Sequence, residues 1–176
     1  DYTDVDSGDW FYDGAAYVTE HKLVSGEKPY VFGGGEVITR AEAAQAIYNL
    51  AGQPDCEMTT AFTDVDERSQ QRDAISWVAQ QGIMRGISGS VFAPDRPLTR
   101  GMFATILARL AGVDTENGAT WYEKGMAWAV EQNISDGTAP EGGITREQAV
   151  TMLYRYAGSP AVSGDHLADF ADAGAV

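Results

Sequence analysis

The apolar residues of this chain recur with a helical period in three places, each marked by the same polar residues. A threonine and an arginine open each stretch, at Thr39-Arg40, Thr99-Arg100 and Thr145-Arg146. Apolar side chains follow at the i, i+3, i+4 and i+7 spacing of an amphipathic helix. They are Ala43, Ala46, Ile47 and Leu50, then Phe103, Ile106, Leu107 and Leu110, then Ala149, Met152, Leu153 and Tyr156. An Ala-Gly pair ends each stretch, with its glycine 12 residues after the arginine, so the pattern predicts three helices of one length.

The threonines have the chemistry of helix N-caps. Thr39 with Glu42, and Thr145 with Gln148, fit a capping box, whereas Met102 stands at this place in the second copy. The arginine puts a positive charge at the positive end of the helix dipole, which costs about 0.3 to 1 kcal/mol at an exposed site. Its repetition predicts a negative group opposite, either a carboxylate of a neighbouring repeat or an anionic ligand.

A second helical stretch precedes each of these helices. Phe62-Thr63-Asp64-Val65 restates Tyr2-Thr3-Asp4-Val5, and a helical pattern follows both. Because aspartate is a good N-cap, we expect Asp4 and Asp64 to cap these first helices. We expect Gly26 to supply a positive φ where the first stretch ends.

The third copy departs most from the pattern. Thr115 replaces the aspartate, and Gly137 precedes Arg146 by 9 residues, where Gly26 and Gly86 precede their arginines by 14. Its loop is therefore shorter.

These repeats organise the whole chain. We predict repeats at 1–52, 62–112 and 113–158, a polar linker at 53–61 and a tail at 159–176. In the tail, Phe170-Ala171-Asp172-Ala173 resembles the start of a further repeat. The predicted fold is mainly α, with three helix-loop-helix units sharing one core and short extended loop pieces.

Charge and composition restrict the partners. The net charge of −14 disfavours nucleic acid, whose phosphates need a basic face, and also adsorption to anionic lipid. No apolar run approaches the roughly 20 residues of a membrane helix, so we expect no membrane insertion. The single cysteine allows neither an internal disulfide nor a zinc site, and no metal or cofactor is expected.

The ordered motifs resemble the S-layer homology domain. They are Phe62-x-Asp-Val, Ala74-Ile-x-x-Val-Ala-x-x-Gly-Ile-x-x-Gly86, Phe92-x-Pro, and Thr39-Arg-Ala-Glu before a helix ending in Ala-Gly. The resemblance covers about residues 2 to 158 and the tail. It implies a pseudo-threefold assembly of the units around a central helical bundle. It also implies an extracellular role, the non-covalent anchoring of a surface protein to secondary cell-wall polysaccharide, often pyruvylated, in grooves between repeats.

The resemblance assigns binding roles residue by residue. A guanidinium can grip a pyruvyl carboxylate with two charge-assisted hydrogen bonds, and we expect these side chains to face outward beside free helix N-terminal amides. Tryptophans would stack on a sugar face, glycines would allow close backbone approach, and aspartates would accept hydroxyl hydrogen bonds. The residues concerned are Arg40, Arg100 and Arg146, Trp10 and Trp121, Gly26, Gly86 and Gly137, and Asp4 and Asp64.

Departures from the family pattern and two rival functions bear on this interpretation. Gly101-Met102 replaces Ala-Glu, the first loop is glycine-rich, and the third repeat has lost its aspartate, so we expect only one or two grooves to bind.

The first rival is a protein–protein module of a cell-surface assembly, in which the arginines are purely structural. The second is a glycosidase, which needs two carboxyl groups held in a cleft. Because repeats this short rarely build such a cleft, we expect no enzyme.

Overall fold

The computed structural model describes residues 2–57 and 62–163, which form six α-helices and no β-strand. The helices are α1 (Tyr12–Glu20), α2 (Arg40–Leu50), α3 (Arg72–Gln80), α4 (Arg100–Leu110), α5 (Glu123–Glu131) and α6 (Arg146–Tyr156). The prediction of a mainly α repeat protein is confirmed. The predicted start of a further repeat, at 170–173, lies outside the described residues.

The three arginine helices form as the pattern predicts. α2, α4 and α6 each contain 11 residues, and the threonine before each accepts the N3 amide hydrogen. Capping boxes close on α2 and α6. An alanine is the C-cap of each helix, and the glycine after it has a φ of +80° to +86°, a left-handed conformation that glycine adopts without strain.

The three shorter helices begin differently from our expectation. α1, α3 and α5 each contain 9 residues, and no side chain caps any of them, so the prediction that Asp4 and Asp64 cap α1 and α3 was wrong. The positive φ expected at Gly26 occurs instead at Lys22, with a φ of 54°. A turn therefore follows α1 directly, and Gly26 has a different use described below.

The helices pack between repeats. The chain divides into two compact units, one joining residues up to Glu36 to the segment that begins at Thr145, the other spanning Val37–Ile144. In the first unit α1 packs against α6, and in the second α2 packs against α3 and α4 against α5. Each arginine helix therefore pairs with the short helix of another repeat. A repeat in sequence is thus not a packing unit, and the boundaries between repeats stay a prediction.

A closed cycle of backbone hydrogen bonds joins the three repeats in the second unit. The amide of Ile38 donates to Ile144, that of Ile144 to Leu98, and that of Leu98 back to Ile38, at 3.0 to 3.1 Å. All three side chains are buried. Each of the three residues directly precedes a threonine cap, so the cycle links equivalent positions of the three repeats.

The predicted apolar stripes form the core. Ile47, Phe103 and Leu107 are fully buried, and Ala149 and Leu153 are nearly so. Leu50 and Leu110, at the last position of their helices, are half-buried. The stripes thus hold the arginines at fixed places, since each arginine is the first residue of a packed helix.

Candidate functional site

Arg40 is buried and holds a loop of the second repeat. Only 8% of the residue is exposed. Its Nε donates to the carbonyl of Phe92 at 2.7 Å, its Nη2 donates to the carbonyl of Arg85, and its guanidinium lies 4.6 Å from the centroid of the Phe92 ring. Desolvation and the nearby Arg96 lower the pKa of Arg40, and Asp64 opposes this shift. Within the described residues Arg40 makes no ion pair, so its charge is buried against neutral carbonyls.

Arg146 makes the same arrangement in the first unit. Its Nε donates to the carbonyl of Phe32 at 2.9 Å, its Nη2 to that of Ser25, and its guanidinium lies over the Phe32 ring. Only 3% of Arg146 is exposed. The expectation of outward-facing guanidinium groups was therefore wrong for Arg40 and Arg146, because loop carbonyls draw both side chains inward.

Arg100 differs from the other two. Its Nη2 lies 2.8 Å from Oδ1 of Asp136, and its side chain is 15% exposed. Its Nε is buried and has no hydrogen-bond partner among the residues described. Of the two expected partners, a carboxylate of a neighbouring repeat is therefore found here.

Loop carbonyls also occupy the helix N-terminal amides. In α2 the amide of Arg40 donates to Arg96 at 3.0 Å and that of Ala41 to Pro94 at 2.9 Å. The equivalent acceptors are Gly142 and Pro140 for α4, and Glu36 and Gly34 for α6. The expectation that these amides are free for an anion was wrong.

Asp4 and Asp64 fix the loops that hold the arginines. The two carboxylate oxygens of Asp64 accept the amides of Phe92 and Ala93 at 2.9 and 2.7 Å, and Asp4 does the same for Phe32 and its neighbour. Desolvation acts to raise the pKa of Asp64, but these amides and the charge of Arg40 lower it below its usual value. The role of these aspartates toward a sugar hydroxyl remains a prediction.

The loop glycines allow the chain to approach itself. A Cβ at Gly26 would lie 2.4 Å from the Tyr2 ring, and one at Gly86 would lie 2.6 Å from the Phe62 ring. Gly137 instead has a φ of +79°. Internal packing or backbone conformation thus explains these glycines, and their contact with a sugar is untested.

A basic pocket lies wholly within the second unit. Its volume is ≈ 200 Å³, several times the roughly 30 Å³ that one water occupies. Arg40, Arg85 and Arg109 line it together with the side chain of Trp121. The remaining lining residues are Ile83, Met84, Leu98, Met102, Thr105 and Ile106, so no carboxylate belongs to the lining.

Glu116 bridges two of these arginines. Its Oε1 lies 2.7 Å from Nη2 of Arg85 and 3.8 Å from Nη2 of Arg109, and both Glu116 and Arg85 are more than half exposed. Desolvation and Arg85 lower the pKa of Arg109, which Glu116 opposes. Exposed ion pairs contribute about 0 to 1 kcal/mol. The exposed pair of Glu116 with Arg85 is therefore weak, whereas Arg109, its second partner, is 23% exposed at its side chain.

The tryptophans and related aromatic residues differ in exposure. Trp10 and Trp121 are 61% and 50% exposed. Each meets the ring that follows it in the chain edge to face, which leaves ring surface open. At equivalent positions of the shorter helices, Tyr17 and Trp77 are buried, and Trp128 is half-buried. Of the two exposed tryptophans, Trp121 belongs to the pocket described above.

The sequence interpretation missed Arg85, Arg109 and Glu116. Arg85 stands directly before Gly86, where the other copies have Ser25 and Asp136. A comparison of charge at equivalent positions could have found it. Glu116 carries no such signal, because a loop brings it to the arginines.

Comparison with known proteins identifies relatives. A sequence model of the S-layer homology domain matches residues 1–44 and 61–104. The S-layer protein sap of Bacillus anthracis is 25% identical over 86% of this chain and 20% of its own length. The surface-layer 125 kDa protein of Lysinibacillus sphaericus is 29% identical over 76% and 13%. Cell surface glycoprotein 1 of Acetivibrio thermocellus is 26% identical over 67% and 6%. The chain thus spans a fifth or less of the length of these relatives.

Proposed function

Because the chain belongs to the S-layer homology domain family, we propose that it anchors a surface protein to the bacterial cell wall. It would do so by binding an acidic, pyruvylated secondary cell-wall polysaccharide without a covalent bond. The family and its surface-layer relatives place the chain at the cell surface. Among the helices of residues 2–57 and 62–163, none has the length and apolarity needed to cross a membrane.

The observation that carries this proposal is a basic pocket in an acidic chain. The whole chain has a net charge of −14, yet three arginines line the pocket, and Glu116, outside the lining, is the carboxylate that pairs with two of them. The buried guanidinium of Arg40 is hydrogen-bonded to carbonyls and makes no ion pair within the described residues, although the charge of Asp64 offsets part of its field. Such a pocket favours an anion over a neutral sugar.

The lining fits the parts of a pyruvyl ketal. Arg85 and Arg109 present guanidinium groups that can bind one carboxylate through two parallel hydrogen bonds. Met84 and Met102 offer apolar surface to the ketal methyl group, and Trp121 offers a ring face to the pyranose. Arg40 acts on the anion through its charge, while Glu116 must move aside.

Co-sedimentation with purified sacculi tests the proposal. The chain should sediment with untreated sacculi and stay in solution after the pyruvyl groups are removed chemically. Retention that is unchanged by this treatment would contradict an acidic glycan ligand.

Matched variants connect the binding to the pocket. Arg85→Ala and Arg109→Ala should each reduce retention, because each removes one cation from the carboxylate site. Arg68→Ala changes the net charge equally at an exposed residue outside the lining and should leave retention unaltered.

A protein–protein module is the second candidate, and the burial of Arg40 and Arg146 favours it. Both side chains hold loops, as purely structural arginines would. Under this alternative, retention would depend on a surface protein, and protease treatment of the sacculi would abolish it.

A further inference from the structure

The three repeats carry residues of different charge at one equivalent place, directly before the loop glycine. This residue is Ser25 in the first copy, Arg85 in the second and Asp136 in the third. In each copy an arginine Nη2 donates to this residue. The acceptor is the main-chain carbonyl of Ser25 and of Arg85, but the side-chain carboxylate of Asp136.

The loop of the third copy explains the change of acceptor. Gly137 takes a φ of +79°, whereas Gly26 and Gly86 are not in the left-handed region. The shortened loop also lacks the Phe-x-Pro segment whose phenylalanine carbonyl accepts Nε of Arg40, and Nε of Arg100 has no partner within the described residues. The carboxylate of Asp136 therefore takes the place of a loop carbonyl as the partner of Arg100 and neutralises its charge.

The ion pair of Arg100 is held more firmly than that of Arg85. Oδ1 of Asp136 accepts the amide and the hydroxyl of Thr138, at 2.9 and 2.8 Å, besides Arg100. The side chain of Arg100 is 15% exposed, against 61% for Arg85 in its pair with Glu116, while both carboxylates are exposed, Asp136 by 66% and Glu116 by 51%. A pair of two exposed side chains gives way to a ligand more readily than a pair whose cation is mostly buried and whose carboxylate is fixed by further hydrogen bonds.

We propose that the residue before the loop glycine decides which copies accept an anionic sugar. Arg85 adds the exposed cation that makes the Arg40 pocket competent. Asp136 is an internal substitute for the ligand carboxylate and keeps Arg100 closed to the glycan. This inference rests on the proposed function and adds the residues that select the competent copy.

Transplants of this residue between copies test the selection. Isothermal titration calorimetry would count binding sites for a methyl glycoside of N-acetylmannosamine that carries a 4,6-O-pyruvyl ketal. Arg85→Asp should remove one equivalent of ligand from the parent stoichiometry. Asp136→Ser, which transplants the residue of the first copy, should add one. Asp55→Ser makes the same charge change at an exposed residue and should add none.

A second variant and a second readout keep the test decisive if Asp136→Ser destabilises the chain. Asp136→Asn keeps an oxygen to accept from Arg100 and Thr138 while removing the charge, so it should also add a site. In both Asp136 variants the Nε–Hε resonance of Arg100 should shift on titration with the glycoside.

The outcomes separate the inference from the proposed function. If the parent binds but neither Asp136 variant adds an equivalent or shifts Arg100, Asp136 is only a structural partner and the inference fails. Full stoichiometry in Arg85→Asp overturns it too. If the parent itself binds no glycoside, the proposed function fails with it.

Discussion

At the residue scale, an arginine at the first helical position is stabilised here by its surroundings. The helix dipole and desolvation both act against this charge. Arg40 recovers the loss through two carbonyls and the face of Phe92, which Asp64 fixes in place. The guanidinium thus holds a helix of one repeat against a loop of the next. It also contributes a positive electrostatic potential.

Replacing Arg40 by alanine should therefore destabilise the chain as well as weaken glycan binding. The carbonyls of Phe92 and Arg85 would lose a charged donor, so we expect the free energy of unfolding to fall by about 2 to 4 kcal/mol. Urea denaturation followed by circular dichroism measures it. Arg96→Ala, at an exposed arginine, is the control and should change stability little. Unchanged stability of Arg40→Ala would show that the carbonyl contacts are incidental.

Replacing Glu116 by glutamine should strengthen binding of the pyruvylated glycan. The change removes the internal carboxylate that bridges Arg85 and Arg109. We expect the Kd to fall several-fold, since an exposed pair contributes up to about 1 kcal/mol. Titration calorimetry measures this, with Glu67→Gln as the matched control outside the lining. Weaker binding would mean that Glu116 itself contacts the ligand.

At the element scale, α4 combines a weaker cap with a place in the pocket. A Cβ at Gly101 would lie 2.9 Å from Tyr122, so the alanine of the family pattern does not fit there. The next residue, Met102, lines the pocket where α2 has the capping-box residue Glu42. This departure from the motif therefore replaces a carboxylate by an apolar side chain beside the anion site.

Met102→Glu should stabilise α4 and weaken glycan binding at the same time. The glutamate can complete a capping box with Thr99, which we expect to add about 0.5 to 1 kcal/mol, but it places a negative charge in the pocket. Met102→Gln is the matched control, because it can close the same box without charge. Thermal unfolding and calorimetry of both variants check this. Equal affinity of the two would place the ligand away from α4.

Leu107→Ala should destabilise the second unit by about 2 to 5 kcal/mol as a core truncation. Leu107 is fully buried on α4, whereas Leu110 on the same helix is half-buried. Leu110→Ala should therefore cost clearly less in a denaturant titration. Equal losses for the two leucines would contradict the observed face of the helix.

At the scale of the whole molecule, local signals predicted the helices, while contacts between repeats decided the site. Helix lengths, threonine caps and terminal glycines follow from spacing within about 12 residues, so the pattern around Arg40 was sufficient. The surroundings of the arginines depend on loops more than 30 residues away, such as Phe92 against Arg40 and Asp136 against Arg100. Periodicity contains no information about such loops. The predictions of outward-facing guanidinium groups and of free helix N-terminal amides were wrong for this reason.

The pocket shows the same dependence on distant contacts. Arg40 and Trp121 were predicted separately, but only the folded chain brings them together with Arg85 and Arg109. These side chains come from all three predicted repeats. An anionic ligand in this pocket would thus contact side chains of all three repeats rather than of one.

The most direct test is a crystal structure of the chain soaked with a pyruvylated mannosamine disaccharide. We expect the ketal carboxylate within about 3 Å of the guanidinium groups of both Arg85 and Arg109, with Glu116 displaced and a pyranose face on Trp121. A disaccharide bound without contact to either arginine, or a Glu116 that still bridges them at saturating ligand, would contradict the account.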